Sequence, residues 1–208
     1  MITIFDILDV KKYIDKVDGV IFDLDDTLYS EKNYVKSGYK AIFNNFNFID
    51  NLDLKLYKAF EQGQMAIDVV FDAENLSDRK SEALNIYRYH KPDIYLYSGV
   101  EDMLTEIKSK NKKIGIITDG RPEGQNLKID SLKLRDKVDF IIITDELGGI
   151  EYRKPNVIAF QIMQKQLQIP FEKMCYVGDN LKKDFIAPEA LGMQSIYFNN
   201  LDGIYSSK

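Results

Sequence analysis

The chain has 208 residues, 45% of them hydrophobic and 29% charged, with a net charge of −5. That balance excludes a disordered chain and argues against nucleic acid as the main partner. No apolar run approaches the roughly 20 residues of a membrane span, so no membrane partner is expected.

The opening Met1-Ile2-Thr3-Ile4-Phe5-Asp6 lacks a basic region and a cleavage site, so no signal peptide is expected. The single cysteine, Cys175, excludes an internal disulfide and fits a reducing cytoplasm. It sits beside an apolar run and reads as a small buried hydrophobe rather than a nucleophile.

Residues 4–16 place Ile4, Ile7, Leu8, Val10 and Ile14 near helical spacing, which predicts a short helix ahead of the first strand. Gly19-Val20-Ile21-Phe22 is a short apolar run, β-branched at its centre. It reads as a strand buried on both faces of a parallel sheet. Asp23, Asp25 and Asp26 come directly after it. Like charges this close repel and raise each other's pKa, a cost that a divalent cation would remove. Along an extended strand end Asp23 and Asp25 point one way and Leu24 the other, into the core. Asp26 or Thr27 could instead cap the next helix.

From Tyr29 to about Tyr97 there is no clear buried-strand run. Segments near 31–46, 52–71 and 77–90 are compatible with helices, the second carrying Leu52, Leu56, Phe60 and Ile67 near one stripe. Asn75-Leu76-Ser77-Asp78 reads as a loop and N-cap. Tyr29, Tyr34, Tyr39, Phe43, Phe46 and Phe48 crowd this block. Most are expected in the core of a small helical domain, with a minority lining a substrate pocket. The only histidine, His90, has no partner His or Cys, so zinc is not expected and His90 reads as a surface residue.

Beyond Pro92 strands and helices alternate. Helices are predicted over 99–110, 125–134, 156–168 and 181–191, the third opened by Pro155 and the last bent at Pro188. Strands are predicted over 113–118, 140–144, 174–177 and 194–198, with 199–208 as a surface tail. With the first strand this makes five. The alternation specifies an α/β protein with a doubly wound parallel sheet. Residues 1–29 and 98–208 form that core, and residues 30–97 are a helical domain inserted in it.

Each strand's C-terminal end contributes to one rim, where open α/β sheets place their ligands. The first strand ends in Asp23 and Asp25. The second ends in Thr118-Asp119-Gly120, the third in Thr144-Asp145-Glu146 leading to Arg153-Lys154-Pro155, and the fourth in Gly178-Asp179-Asn180, with Asp184 beyond. Carboxylates with few neutral ligands suit Mg²⁺. Thr118 can donate to a phosphate oxygen, and the backbone N–H groups of Asp119 and Gly120 open to the same point at a helix entry. Lys154 supplies a positive charge for a phosphate and a carboxylate. An aspartate carboxylate can attack phosphorus.

The order Asp23-x-Asp25-x-Thr27, Thr118, Lys154, Gly178-Asp179-x-x-x-x-Asp184 resembles the haloacid dehalogenase (HAD) superfamily, over about residues 18–198. The block after the first strand resembles that family's helical cap. The resemblance implies a Mg²⁺-dependent phosphatase acting on a small phosphorylated metabolite through an aspartyl-phosphate. It implies Asp23 as nucleophile and Asp25 as the acid that protonates the leaving group and the base that then activates water. Thr118, Asp119, Gly120 and Lys154 would hold the phosphate. Asp23, the backbone carbonyl of Asp25, and Asp179 would bind Mg²⁺, with Asp184 acting behind them on Lys154 or on water. Asp119 is less usual there than Asn. A phosphosugar mutase of the same superfamily shares these features. A receiver-like signalling module also joins acidic residues, Thr and Lys on a parallel sheet, but its phosphoacceptor sits alone on a later strand and it lacks the insertion.

Overall fold

The computed structural model of the protein describes residues 1–204, so residues 205–208 of the expected tail lie outside the described residues. The chain divides into two compact units, Met1–Glu31 with Tyr95–Lys208, and Lys32–Ile94.

The first unit is built on a sheet of β1 (Ile2–Ile4), β2 (Gly19–Phe22), β3 (Lys113–Thr118), β4 (Phe140–Ile143), β5 (Met174–Gly178) and β6 (Gln194–Phe198). Their order is β1-β6-β5-β2-β3-β4, and every neighbouring pair is parallel. The α/β parallel sheet is as expected, with six strands rather than five. The extra strand, β1, pairs Ile2, Thr3 and Ile4 with Ile196, Tyr197 and Phe198 at the sheet edge. A 3₁₀ helix, Ile7–Lys12, comes after β1, with Ile7 and Val10 buried.

All four residues of β2 are buried, as a strand covered on both faces must be. The chain leaves β2 towards β3 and β4 on one side and returns to β5 on the other. The strand order therefore reverses at β2, where ligand crevices form. Phe22 is level with Ile116 on β3 and Val177 on β5. One residue further on, the Asp23 N–H donates to the Val177 carbonyl at 2.8 Å. Leu24 is fully buried, as its alternation with Asp23 and Asp25 requires.

Helices α5 (Val100–Ser109), α6 (Pro122–Ser131), α7 (Ile158–Leu167) and α8 (Ile186–Ala190) complete this unit. Ile21, Ile117, Phe160, Met163 and Tyr176 lie in one buried cluster around the sheet. Cys175 is fully buried, and burial pushes its thiol up to about 12, so it is the inert hydrophobe its context indicates. Helix α8 is much shorter than the expected 181–191. The chain before it turns so that the Asp184 carboxylate accepts from the Asn180 N–H at 2.9 Å. The tail is not simply surface. Asn200 Nδ2 donates to the Asp26 carbonyl at 2.8 Å, and the Ile204 N–H donates to Asp26 Oδ2 at 2.6 Å. Asp26 Oδ1 accepts from the Glu31 N–H at 2.9 Å, so it does cap the next helix.

The inserted unit carries α1 (Glu31–Asn45), α2 (Leu52–Glu61), α3 (Ala66–Ala73) and α4 (Lys80–Tyr89). The expected helix over 52–71 is thus two helices, broken between Glu61 and Ala66. Tyr39, Ile42, Phe46, Leu52, Leu56 and Phe71 form its core, while Phe48 is exposed. His90 is buried rather than on the surface. Its ring stands 5.1 Å from that of Tyr34, and its Nδ1 lies 2.7 Å from the Tyr87 carbonyl. Among the described residues no helix is long and apolar enough to cross a membrane.

Candidate active site

The strand register sets the first layer of the site. Asp23 comes directly after Phe22 at the end of β2, and Asp179 after Gly178 at the end of β5. Lys154 lies in the loop between β4 and α7 and reaches inward with a fully buried side chain. Its Nζ sits 2.8 Å from Asp23 Oδ1 and 2.9 Å from Asp184 Oδ1, and donates to the Tyr176 hydroxyl at 2.9 Å. Burial alone would depress a lysine, but Asp184 and Asp23 hold Lys154 well above its ordinary pKa.

Asp184 can come this close because residue 178 is glycine. A Cβ there would meet the Asp184 carboxylate at 2.5 Å. The Gly-Asp pair at the end of β5 thus serves both Asp179 and Asp184. Gly120, with φ of 141°, takes a backbone conformation that side chains rarely adopt as the chain turns into α6.

Asp23, Asp179 and Asp184 each offer a carboxylate oxygen within 4.8 Å of the others, and all three are buried. When ionised, these three carboxylates outnumber the ammonium of Lys154 that pairs with two of them. Burial, then the charges of Asp23, Asp184 and Asp26, push Asp179 up to about 8. Burial raises Asp23 to about 6 against the pull of Lys154. A buried, oxygen-only donor set with excess negative charge suits a hard divalent cation such as Mg²⁺. The residues present therefore fit the metal that the strand ends imply.

The Asp25 side chain is elsewhere. It accepts from Lys128 Nζ at 2.7 Å, from Gln125 Nε2 at 2.8 Å and from the Tyr29 hydroxyl. Burial alone would raise it, but Lys128, with these hydrogen bonds, holds it below the usual carboxylate range. Gln125 Nε2 also donates to Thr118 Oγ1, so Thr118 and Asp25 share a partner. The Asp119 carboxylate has its own work. Oδ1 accepts from Thr144 Oγ1 at 2.9 Å and from the Lys154 N–H at 3.0 Å, and Oδ2 pairs with Lys183 at 2.9 Å. Asp23, Asp25, Asp119 and Asp179 line a cavity of about 130 Å³, whose lining cations are Lys183 and Arg153.

The sequence alone does not single out Glu31, which also lines this cavity, nor Gln125, Lys128 or Lys183, and it names Tyr29 and Arg153 without a role. For two of them a signal exists. Helix α6 reads Pro-Glu-Gly-Gln-Asn-Leu-Lys-Ile-Asp-Ser and lacks an apolar stripe, yet a helix between parallel strands must bury one face. Gln125 and Lys128 lie one turn apart on that buried face.

The carboxylates and the buried lysine thus gather where the strand order of the parallel sheet reverses, the place where such sheets take ligands. Residues 20–198 match the haloacid dehalogenase-like hydrolase family. The chain belongs to that family. It is 28% identical over 194 residues to the glyceraldehyde 3-phosphate phosphatase of Methanocaldococcus jannaschii, covering 86% of this chain and 84% of that protein. It is 24% identical over 201 residues to the pyrimidine 5′-nucleotidase YjjG of Escherichia coli, covering 88% and 87%. Among solved structures it is similar to the HAD-hydrolase YfnB of Bacillus subtilis, crystallised with magnesium. The TM-score is 0.64 at 19% identity, over 89% of this chain and 88% of that one.

The carboxylate cluster carries a testable consequence. A carboxyl raised from 3.8 to about 8, as Asp179 is, holds its proton more tightly folded than unfolded. The stability it contributes is present below its unfolded pKa and is lost as pH rises through the folded value. Metal-free protein is therefore expected to lose melting temperature from about pH 4 to about pH 8. Mg²⁺ should restore it most at the alkaline end, by about 2.7 kcal/mol at a hundredfold its Kd. Thermal scans with and without Mg²⁺ check this; a gain that survives Asp179→Ala unchanged would contradict it.

Proposed function

We propose that this protein is a Mg²⁺-dependent phosphatase that hydrolyses a small phosphorylated metabolite through a phosphate ester of Asp23. The observation that carries this reading is a second carboxyl, Asp25, two residues after Asp23 and lining the same cavity. Dehalogenases of this superfamily resemble the chain in using an aspartate nucleophile but lack that acid.

In the proposed reaction an Asp23 oxygen attacks phosphorus as the bond to the leaving oxygen breaks. Asp25, an ionised carboxylate in the free protein, must carry a proton once the phosphoester is bound, and gives it to that oxygen. Water then attacks phosphorus and yields its proton to Asp25, releasing phosphate and regenerating the Asp23 carboxylate. Thr118, Lys154 and the backbone N–H groups of Asp119 and Gly120 hold phosphate oxygens. Asp23, the Asp25 carbonyl and Asp179 would hold Mg²⁺, with Asp184 beside them. When bound, the ion neutralises charge on the phosphoryl oxygens. Lys154 stands between Asp23 and Asp184, so it keeps the nucleophile's charge balanced.

The first substrate to test is glyceraldehyde 3-phosphate, from the relative's name. We further propose that residues 30–97 act as the family's cap and set selectivity. The chain leaves and re-enters the core side by side there, the Tyr97 N–H donating to the Leu28 carbonyl at 2.9 Å. A screen of glyceraldehyde 3-phosphate, a pyrimidine 5′-mononucleotide and a generic aryl phosphate, read by free phosphate, tests both ideas. The parent should release phosphate only with Mg²⁺ and prefer one metabolite. Replacing Ser30–Tyr97 by a short linker should keep aryl phosphate hydrolysis and lose the preference. No release from any phosphoester, or conversion without release, would contradict the phosphatase reading. A truncated chain with the parent's preference would contradict the cap.

A further inference from the structure

Asp25 is held from three sides by residues that take no part in the reaction just described. Oδ1 accepts from both Lys128 Nζ and the Tyr29 hydroxyl, and Oδ2 accepts from Gln125 Nε2. Lysine is rarely buried unless paired, yet the Lys128 side chain is 6% exposed and its ammonium meets Asp25 at 2.7 Å. Each carboxylate oxygen has room for about two donors. Oδ1 is filled by its two. Oδ2 has one and keeps a place for another. Gln125 also joins that oxygen to Thr118, the hydroxyl assigned to phosphate.

We propose that Lys128 is a positioning residue for Asp25: its ion pair on Oδ1 fixes the rotation of the carboxyl and leaves Oδ2 as the oxygen that exchanges the proton. In the first half of the reaction the proton goes from Oδ2 to the leaving oxygen. In the second it returns to Oδ2 from the attacking water. Between the two, the Lys128 ammonium balances the charge on Asp25. Gln125 sets the distance between Oδ2 and the phosphate end of the site. The inference rests on the phosphatase reading, with Asp25 as acid and base.

The test is the leaving-group dependence of kcat/KM, which reports the first half of the reaction. A series of aryl phosphates with increasingly basic phenols is used on the full chain with Mg²⁺. A carboxyl misplaced by about 1 Å costs on the order of 100-fold, and only where the leaving oxygen needs a proton. Lys128→Met is therefore expected to lose about 100-fold on the most basic phenol and only a few-fold on the most acidic. Lys128→Arg should restore most of the loss. On an Asp25→Asn background, Lys128→Met should add little, since its effect passes through Asp25.

An equal loss across the series, or a loss that adds in full to Asp25→Asn, overturns the proposal. Should Lys128→Met fail to fold, Lys128→Arg and Gln125→Met carry the same test. The proposal expects a near-parental slope for the first and a steeper one for the second; a flat loss in both overturns it. The two readings separate cleanly. If Asp25→Asn itself shows no leaving-group dependence, the assignment of Asp25 fails. If it does and Lys128→Met does not, only the role of Lys128 fails.

Discussion

Asp23→Asn and Asp25→Asn are expected to fail differently. Asparagine nearly matches aspartate in size, and Asp23 is 4% exposed, so the change keeps the packing. Lys154 retains Asp184 as a partner at 2.9 Å, so its charge is not stranded. In the proposed mechanism Asp23→Asn removes the nucleophile, and turnover should fall to the uncatalysed background for every phosphoester. In the same mechanism Asp25→Asn keeps the nucleophile and the backbone carbonyl but removes the proton donor and the base for water. General acid–base help is worth roughly a hundred- to ten-thousand-fold. The loss should depend on substrate. With an activated aryl phosphate the leaving group needs little protonation, so the first half proceeds and the second stalls. With an alkyl phosphate both halves slow. Burst kinetics separate these outcomes, and identical behaviour of the two variants would contradict the division of roles.

Lys154→Met is expected to cost both stability and activity. The ammonium is fully buried between Asp23 and Asp184 and donates to Tyr176. Methionine has a similar reach but leaves the buried carboxylates without their counter-charge. Breaking a buried pair by removing one partner costs roughly 3–5 kcal/mol. For a chain of this size that lowers the melting temperature on the order of 10 °C. The deficit should shrink at low pH, where the carboxyls take up protons, and shrink with Mg²⁺, which supplies the missing charge. Thermal denaturation followed by circular dichroism reads all three. A variant that melts with the parent at neutral pH without Mg²⁺ would show that Lys154 does not carry this charge balance.

Much of the core is legible from residues alone, because a strand buried on both faces is a continuous apolar run with polar residues at its end. Gly19–Phe22, Lys113–Thr118 and Met174–Gly178 have that form, and the aspartates that come after the first and the third, Asp23 and Asp179, offer carboxylate oxygens within 4.8 Å of each other. Three-residue β1 is not legible: Ile2 and Ile4 fit a strand or the flank of a helix equally well, and only its pairing with β6 decides. The turn at residues 180–185 is hidden for another reason. Its apolar spacing reads as helix, but the Asp184 carboxylate is drawn back to Asn180 and Lys154.

The partners of Asp25 are the least legible. Gln and Lys on a helix normally mark the solvated face, and only the missing apolar stripe of α6 hints that here they face inward. Asp119 shows a similar limit. In sequence it is an unusual residue with a useful backbone; in the structure its carboxylate gathers Thr144, Lys154 and Lys183. His90 reads as surface because the Tyr34 ring against it is far away in sequence, and Tyr87, though only three residues before it, does not by itself signal burial.

The most direct measurement is the mass of Asp25→Asn after brief reaction with an activated aryl phosphate and Mg²⁺, quenched in acid. The chain should gain the mass of one phosphoryl group, and peptide mapping should place it on Asp23. Asp23→Asn treated identically should gain nothing. An adduct on Asp23→Asn would contradict a phosphate ester of Asp23 by placing the phosphoryl group on another residue; no adduct on folded, Mg²⁺-binding Asp25→Asn would contradict it and favour direct attack by water.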